Sequence, residues 1–293
     1  MPITAASTLV RVSGIEELRR RLAACRDDGV SVGLVPTMGA LHEGHLSLVD
    51  RARSRAGIVV LSVFVNPLQF SPSEDFLRYP RPIEDDERLA RDAGVDVLFT
   101  PDAADMYPDL PVVTVSGGSM ATRWEGAHRP GHFDGVLTVV AKLFNIVQPD
   151  FAVFGQKDLQ QAALVKALVR DLNVSVDIDV APIIREDDGV AMSSRNRYLG
   201  AADRVRATAL GRALRSARAA FRDGESEVGA IEAAGRRVLD SEPELEVDYF
   251  AVVDPSSFEP ATVVTEDSAV IVAARVGPTR LIDNCVLAGN DSD

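Results

Sequence analysis

The chain is poor in the features that would tie it to an oxidising compartment, a membrane or a nucleic acid. Only two cysteines occur in 293 residues. Cys25 and Cys285 stand far apart and match no metal or redox spacing, so a reduced, cytoplasmic setting is the simplest account and both read as packing residues. No apolar run approaches the roughly 20 residues of a membrane span. The N-terminal MPITAASTLVRVSG lacks the basic start and apolar block of a secretory signal. Cations are outnumbered: 31 Lys and Arg face 44 Asp and Glu, a net charge of −13. That balance argues against broad binding to nucleic-acid backbones, yet allows a phosphate ligand wherever cations cluster locally. Histidine is scarce too, four in all, so a pair three residues apart, His42 and His45, stands out.

What the chain does hold is ordinary for a globular protein, 46% hydrophobic and 26% charged, and long enough for one large or two medium domains. The histidine pair lies in the stretch Val32 to Arg53. Val32, Leu34 and Val35 read as a buried strand cut off by Pro36. Gly39 and Gly44 bracket a turn, and Leu46, Val49 and Ala52 follow at helical spacing. A strand, a glycine turn and a helix start are the parts from which open α/β sheets build phosphate sites, because free N–H groups and the helix dipole point at the ligand. Histidines add N–H donors there. The bland alternative is a pair of surface or capping residues. A zinc site would need histidines four apart with Glu beside the first; here the spacing is three, with no Cys or third His nearby. The position at a βα turn favours a nucleoside triphosphate.

The chain in order predicts an α/β protein. Ile15 to Asp27 reads as an amphipathic helix ended by Gly29. Ile58 to Val65 is a nearly continuous β-branched run, the pattern of a strand covered on both faces in a parallel sheet. It stops at Asn66-Pro67, before Gln69; polar residues there stand where such sheets bind ligands, or serve turn chemistry alone. Pro72 to Pro82 reads as an irregular loop. Ile83 to Ala93 is a helix whose first turn carries Asp85 and Asp86, either as dipole compensation or with a share in magnesium binding. Val95 to Phe99 and Val112 to Ser116 read as strands. Gly117 to Gly135 is a long polar stretch without periodicity, a mobile or substrate-covering loop, and Val136 to Val147 is a buried helix. Phe151 to Gly155 is a strand ending at Gln156, Lys157, Asp158 and Gln161, before a stripe of Leu164, Leu168 and Leu172. Val174 to Ile184 reads as β structure broken by Pro182. In Met192 to Leu199, two hydroxyls, an arginine and an amide could grip phosphate oxygens, or cap a helix. From Ala201 the composition shifts. Ala201 to Asp223 and Glu227 to Asp240 read as helices, followed by strands at Val247 to Asp254, Ala269 to Val276 and Arg280 to Leu287, as in a small α+β domain.

Five segments together carry a resemblance: PTMGALHEGHLSL (Pro36 to Leu48), FVNPLQF (Phe64 to Phe70), YPR (Tyr79 to Arg81), FGQKDLQQ (Phe154 to Gln161) and MSSRNRYL (Met192 to Leu199). In this order and at these intervals the chain resembles the pantoate–β-alanine ligase family over nearly its whole length. His-x-Gly-His alone would indicate only a wider nucleotidyl-transfer superfamily. The resemblance implies a Rossmann-like parallel-sheet domain over 1–186 that binds ATP and pantoate, and a smaller α+β lid domain over 187–293. It implies ATP-dependent condensation of pantoate with β-alanine through an enzyme-bound pantoyl adenylate, with AMP and pyrophosphate released. It also implies magnesium with ATP as co-substrate, no tightly bound organic cofactor, and a homodimer. On the family motifs, His42, His45, Lys157, Ser193, Ser194 and Arg195 are the catalytic candidates. ATP contacts add Pro36, Thr37, Met38, Gly39, Gly155, Asp158, Ile184 and Met192. Met38, Gln69 and Gln161 would hold pantoate, and Asp85 or Asp86 would help position magnesium or its waters. His132, in RPGHF, is either a base for the amine step or a loop-holding residue.

Two rivals remain at this level. A nucleotidylyltransferase would release pyrophosphate without AMP and need no β-alanine; the neutral pair Gln69 and Gln161 disfavours it, since a phosphorylated substrate calls for cations. A regulatory module without catalysis is disfavoured by the intact set His42, His45, Lys157 and Arg195.

Overall fold

The structure is a computed structural model that describes residues 9–71 and 76–289. Pro72 to Asp75 of the expected loop, and Met1 to Thr8 of the segment inspected for a signal, lie outside these residues. Two compact units are present, one formed by Met1–Gly155 and Leu164–Ala181, the other by Gln156–Ala163 and Pro182–Asp293.

The N-terminal unit is built on six parallel strands. They are β1 (Val10–Val12), β2 (Val32–Thr37), β3 (Ile58–Val63), β4 (Val97–Phe99), β5 (Phe151–Gly155) and β6 (Asp177–Ala181), in the order β1-β4-β3-β2-β5-β6. Parallel strands need crossovers, and the helices among the described residues that connect them are α1 (Ile15–Asp27), α2 (Glu43–Arg53), α3 (Ile83–Asp92), the single turns α4 (Ala103–Met106) and α5 (Glu125–His128), α6 (His132–Val147) and α7 (Leu159–Asp171). Side chains alternate across the sheet. Leu34, Val60, Phe99 and Ala152 join α1 and α6 on one face, while Val35, Val59, Leu61 and Val153 join α2 on the other. Covering both faces is what the unbroken apolar runs demand. Helix α1 matches its expected limits because each signal agrees: Glu16 and Glu17 in the first turn, Arg26 in the last, Leu18, Leu22 and Cys25 inward, and Gly29 at φ +72° beyond the end.

Pro36 does not end β2, contrary to the sequence reading. Val32 O accepts from Asp150 N on the β5 side and Thr37 O from Phe64 N on the β3 side. Alternation therefore turns the nitrogen of Pro36 toward β5. There the ladder extends only over Gly33 and Leu34, so the missing N–H breaks no bond. Beyond Leu34, β2 and β5 part, and chain leaves β2 toward β3 but β5 toward β6. This is the switch point at which open parallel sheets hold ligands.

Other expectations need correction. Val112 to Ser116 pairs with no strand among the described residues: Val112 is 99% and Val113 83% exposed, and Val115 N donates to Thr138 Oγ1 of α6 instead. Gly117 to Gly135 is not an open loop but a 3-10 turn (Gly118–Thr122), α5 and the start of α6. Gly126 lets the first two meet, since a Cβ there would lie 1.9 Å from Ala121 O. Leu172 leaves the apolar stripe and is exposed, whereas Leu164 and Leu168 are buried.

The C-terminal unit places α8 (Ala201–Arg222) and α9 (Val228–Asp240) against an antiparallel sheet of β7 (Leu245–Val253), β8 (Ala269–Val276) and β9 (Thr279–Val286), ordered β7-β8-β9. Its own core holds Leu210, Leu214, Ile231, Phe250, Val270 and Val272. Among the described residues no helix is long and apolar enough to cross a membrane.

Candidate active site

The turn after β2 is held from three directions. Thr37 Oγ1 donates to Ser62 O at 2.7 Å and accepts from Gly39 N at 3.2 Å. Gly39 (φ +81°) and Ala40 (φ +52°) are both left-handed, and a Cβ on Gly39 would come within 2.8 Å of Asp86 Oδ2 and of Val63 Cγ1. Glycine is thus required at 39 by both conformation and space. Asp86, on α3 and 1% exposed, accepts from Ala40 N through Oδ2 at 2.9 Å and from Leu41 N through Oδ1 at 2.7 Å. Such charge-assisted bonds to a buried carboxylate fix the turn strongly.

The turn delivers His42 in extended conformation (φ −147°) as the residue capping α2, with Glu43 acidic in the first turn. The His42 and His45 rings lie with centroids 4.0 Å apart, inclined by 33°. Two imidazoles and the first-turn N–H groups of a helix, which have no intrahelical acceptors, share one place. That combination can stabilise negative charge developing on a phosphoryl group.

Asp85 and Asp86 do not form a cation site here. Both oxygens of Asp86 accept main-chain N–H groups, and Asp85 is a surface residue beside Arg88 at 3.4 Å. Among the described residues no group of three or more His, Cys, Asp and Glu could hold a metal ion.

Gln69 closes the 3-10 turn Pro67–Gln69 after β3 and is 7% exposed. Its Nε2 donates to Met38 Sδ at 2.9 Å, and its Oε1 accepts from Asn66 Nδ2 at 3.1 Å. The two expected pantoate residues of this unit therefore touch. Asn66 performs turn chemistry, accepting from Leu68 N, and more besides. The main chain of Gln69 is held by α6: His132 Nδ1 lies 2.9 Å from Gln69 O, and Arg129 Nη1 3.0 Å from His132 Nε2. A guanidinium only donates, so Nε2 accepts and Nδ1 carries the proton given to Gln69 O. Arg129 is paired with Glu125 at 3.7 Å. His132 is buried with both ring nitrogens engaged, the geometry of a loop-holding residue. Gly155 ends β5, and the side chain of Leu48 lies 4.0 Å from its missing Cβ.

In the C-terminal unit the remaining candidates gather around β9. Asn284 Nδ2 donates to Gln156 O and Lys157 O, both at 3.0 Å, and Asp283 pairs with Arg185 at 2.6 Å. Burial of this ion pair suits only well-bonded partners; Arg185 also donates to Gly189 O at 3.2 Å. Met192 N donates to Ile184 O at 2.9 Å, so these two candidates face each other across a bridged turn. Ser193 Oγ caps the 3-10 turn Ser194–Tyr198 by accepting from Arg195 N at 3.3 Å. Asn196 ties that turn to Glu186 at 2.6 Å. Lys157, Ser193 and Asp283 line one small cleft. Asp158 is exposed and Gln161 half-buried. Sequence reasoning missed Asp86 as a turn clamp, Tyr107, Arg129, Arg185, Asp283 and Asn284. For the last two a signal existed: adjacent polar residues inside the apolar strand RLIDNCVL.

The chain is similar to known proteins over nearly its whole length. Residues 11–286 match the family model described as pantoate-beta-alanine ligase. The pantothenate synthetase of Chlorobaculum tepidum is 51% identical over 86% of this chain and 90% of its own. That of Moorella thermoacetica is 48% identical over 94% and 98%. The crystal structure of the Thermus thermophilus pantothenate synthetase superposes with a TM-score of 0.90 at 47% identity, covering 94% of this chain and 99% of that one. A Francisella tularensis pantoate-beta-alanine ligase, complexed with beta-gamma ATP and beta-alanine, gives a TM-score of 0.77 at 30% identity over 96% and 99%.

Proposed function

Because this chain belongs to the pantoate–β-alanine ligase family and is an enzyme of that kind, we propose that it condenses pantoate with β-alanine in two steps driven by ATP. In the first, a pantoate carboxylate oxygen attacks the α-phosphorus, the bond to the β-phosphate oxygen breaks, and pyrophosphate leaves. In the second, the β-alanine amine attacks the acyl carbon of the pantoyl adenylate, the carbon–oxygen bond to AMP breaks, and the nitrogen loses a proton. Adenylation matters because a free carboxylate oxygen is a poor leaving group, whereas a phosphate monoester departs readily.

The observation that carries this reading is the clamped turn that sets two imidazoles at the N-terminus of α2. Preorganised donors aimed at developing charge are commonly the largest catalytic contribution. His42 and His45 would stabilise the phosphoryl oxygens, with Lys157, Ser193, Ser194 and Arg195 as further donors. Pro36, Thr37, Met38, Gly39, Gly155, Asp158, Ile184 and Met192 complete the nucleotide contacts of this proposal. Gln69 and Gln161 can each donate and accept, as recognition of the pantoate hydroxyls requires, and Met38 lies against Gln69. Magnesium enters only as the counter-ion of the triphosphate, since Asp85 and Asp86 do not fit a site for it. The same reading makes the protein a cytoplasmic homodimer, which sedimentation tests.

Exchange of labelled pyrophosphate into ATP tests the mechanism. The expected result is exchange that needs pantoate but not β-alanine, that falls roughly 100-fold in His45→Ala, and that is followed by AMP release once β-alanine is added. Exchange independent of pantoate, or turnover without AMP, would overturn the ligase mechanism.

A further inference from the structure

Gln69 is an amide whose two ends differ in chemistry, and a chain of bonds decides which end points where. The chain starts at the backbone. Asn66 Nδ2 lies 3.1 Å from Gly135 O, which can only accept, and Asn66 Oδ1 lies 3.3 Å from Leu68 N, which can only donate. These contacts settle the Asn66 amide without ambiguity. Its Nδ2 must then donate to Gln69, so the Gln69 oxygen faces Asn66 and its amino group faces Met38. The remaining partner of Asn66 is Tyr107, whose hydroxyl lies 2.9 Å from Oδ1. An oxygen that already accepts from Leu68 leaves Tyr107 one role, that of donor, and burial keeps the phenol protonated by raising its pKa. At 2.9 Å this bond is shorter than the 3.3 Å bond from Leu68, so Tyr107 is the firmer of the two anchors.

The surroundings hold Tyr107 in place. Its ring lies 6.2 Å from that of Phe64, and the Lys142 ammonium sits 5.3 Å from its centroid. Helix α6 fits so closely against the Gln69 turn that a Cβ at Gly135 would meet Leu68 O at 2.2 Å.

We propose that Tyr107 is a positioning residue for substrate selection: through Asn66 it fixes the Gln69 side chain so that the amino group is presented to a substrate hydroxyl oxygen. Tyr107 touches no substrate in this scheme. The inference rests on the reading of Gln69 as a pantoate-binding residue.

The test is steady-state kinetics on Tyr107→Phe, Gln69→Ala and the double variant, using pantoate and an analogue lacking one hydroxyl. Phenylalanine keeps the ring contacts and removes only the donor. Tyr107→Phe should raise the pantoate KM roughly 3–10-fold, the scale of one hydrogen bond, and the analogue KM less. The ATP and β-alanine KM values should stay unchanged, and the melting temperature should fall no further than the loss of one hydrogen bond allows. In the Gln69→Ala background the same substitution should add nothing. A pantoate KM that rises in Gln69→Ala but not in Tyr107→Phe would overturn the inference alone. A Tyr107→Phe effect that persists without Gln69, or that touches all substrates equally, would also overturn it. An unchanged pantoate KM in Gln69→Ala would instead remove the pantoate reading of Gln69, and this inference with it. Should Tyr107→Phe not fold, the wild-type side-chain amide NMR signal of Gln69, identified by its loss in Gln69→Ala, decides. Shifted, separately resolved amide protons support a held side chain, and a free-amide signal overturns it.

Discussion

At the scale of single residues, the signature turn depends on a side chain that lies outside the signature. Asp86 sits 46 residues beyond Ala40, yet its two oxygens hold the N–H groups that let Gly39 and Ala40 adopt left-handed conformations. Asp86→Asn keeps the shape but turns an NH2 group toward one of those N–H donors, which loses its acceptor, while the other N–H keeps the amide oxygen. A loss of about 1–3 kcal/mol in unfolding free energy is expected, with reduced pyrophosphate exchange because His42 is no longer held at the start of α2. Denaturant unfolding and the exchange assay check both halves. Asp85→Asn, at an exposed position paired with Arg88 of its own helix, should change neither. Equal behaviour of the two variants would remove the clamp from the account.

At the scale of elements, much of the N-terminal sheet was legible because its strands announce themselves as apolar runs closed by Gly, Pro or Asn. Helix α1 and strand β5 were read to the residue for that reason. The site motifs were legible as segments, not as contacts: nothing in FVNPLQF shows Asn66 bridging Gln69 to α6, since that depends on a close approach of main chains at Gly135. Val112 to Ser116 misled for a related cause. Its β-branched residues have strand propensity, but no strand edge was there to receive them, and propensity yields to pairing. Short β1 was missed because three residues carry too little pattern. The edge strand β6 offers a pH test. Asp179 accepts from Arg51 at 2.8 Å and Arg55 at 3.1 Å, and these bonds, the Arg51 bond foremost, hold its carboxyl below the usual value. A depressed folded pKa contributes stability above the unfolded value of about 3.9, and the contribution is lost as pH falls through the folded value. Asp96 has the opposite sign, because burial raises its carboxyl despite Val59 N and Arg53; its contribution is present at low pH and lost as pH rises. Asp179→Asn should therefore flatten the fall of melting temperature below about pH 4, while costing less than about 1 kcal/mol at pH 7 because both arginines are partly exposed. A parallel acid limb in the variant would show that Asp179 is not the group responsible.

At the scale of the whole molecule, the apolar interior is divided. The clusters on the two faces of the parallel sheet draw on residues up to Ala181, and the third cluster begins at Val190. Each unit thus buries a core of its own, and damage to one core need not be felt in the other. Gly235 is the most selective place to test this. A Cβ there would lie 2.1 Å from Phe250 Cζ and 2.9 Å from Ala213 O, so alanine forces α9 away from both β7 and α8. Overpacking of this kind costs about 1–3 kcal/mol. The single tryptophan of the chain, Trp124, lies in the N-terminal unit and reports on its unfolding. In Gly235→Ala the far-UV circular dichroism transition should gain an early phase at low denaturant, while the Trp124 fluorescence midpoint stays in place. If both signals instead move together, the two cores unfold as one cooperative system, and stability arguments for the histidine turn would then have to include the packing of α9.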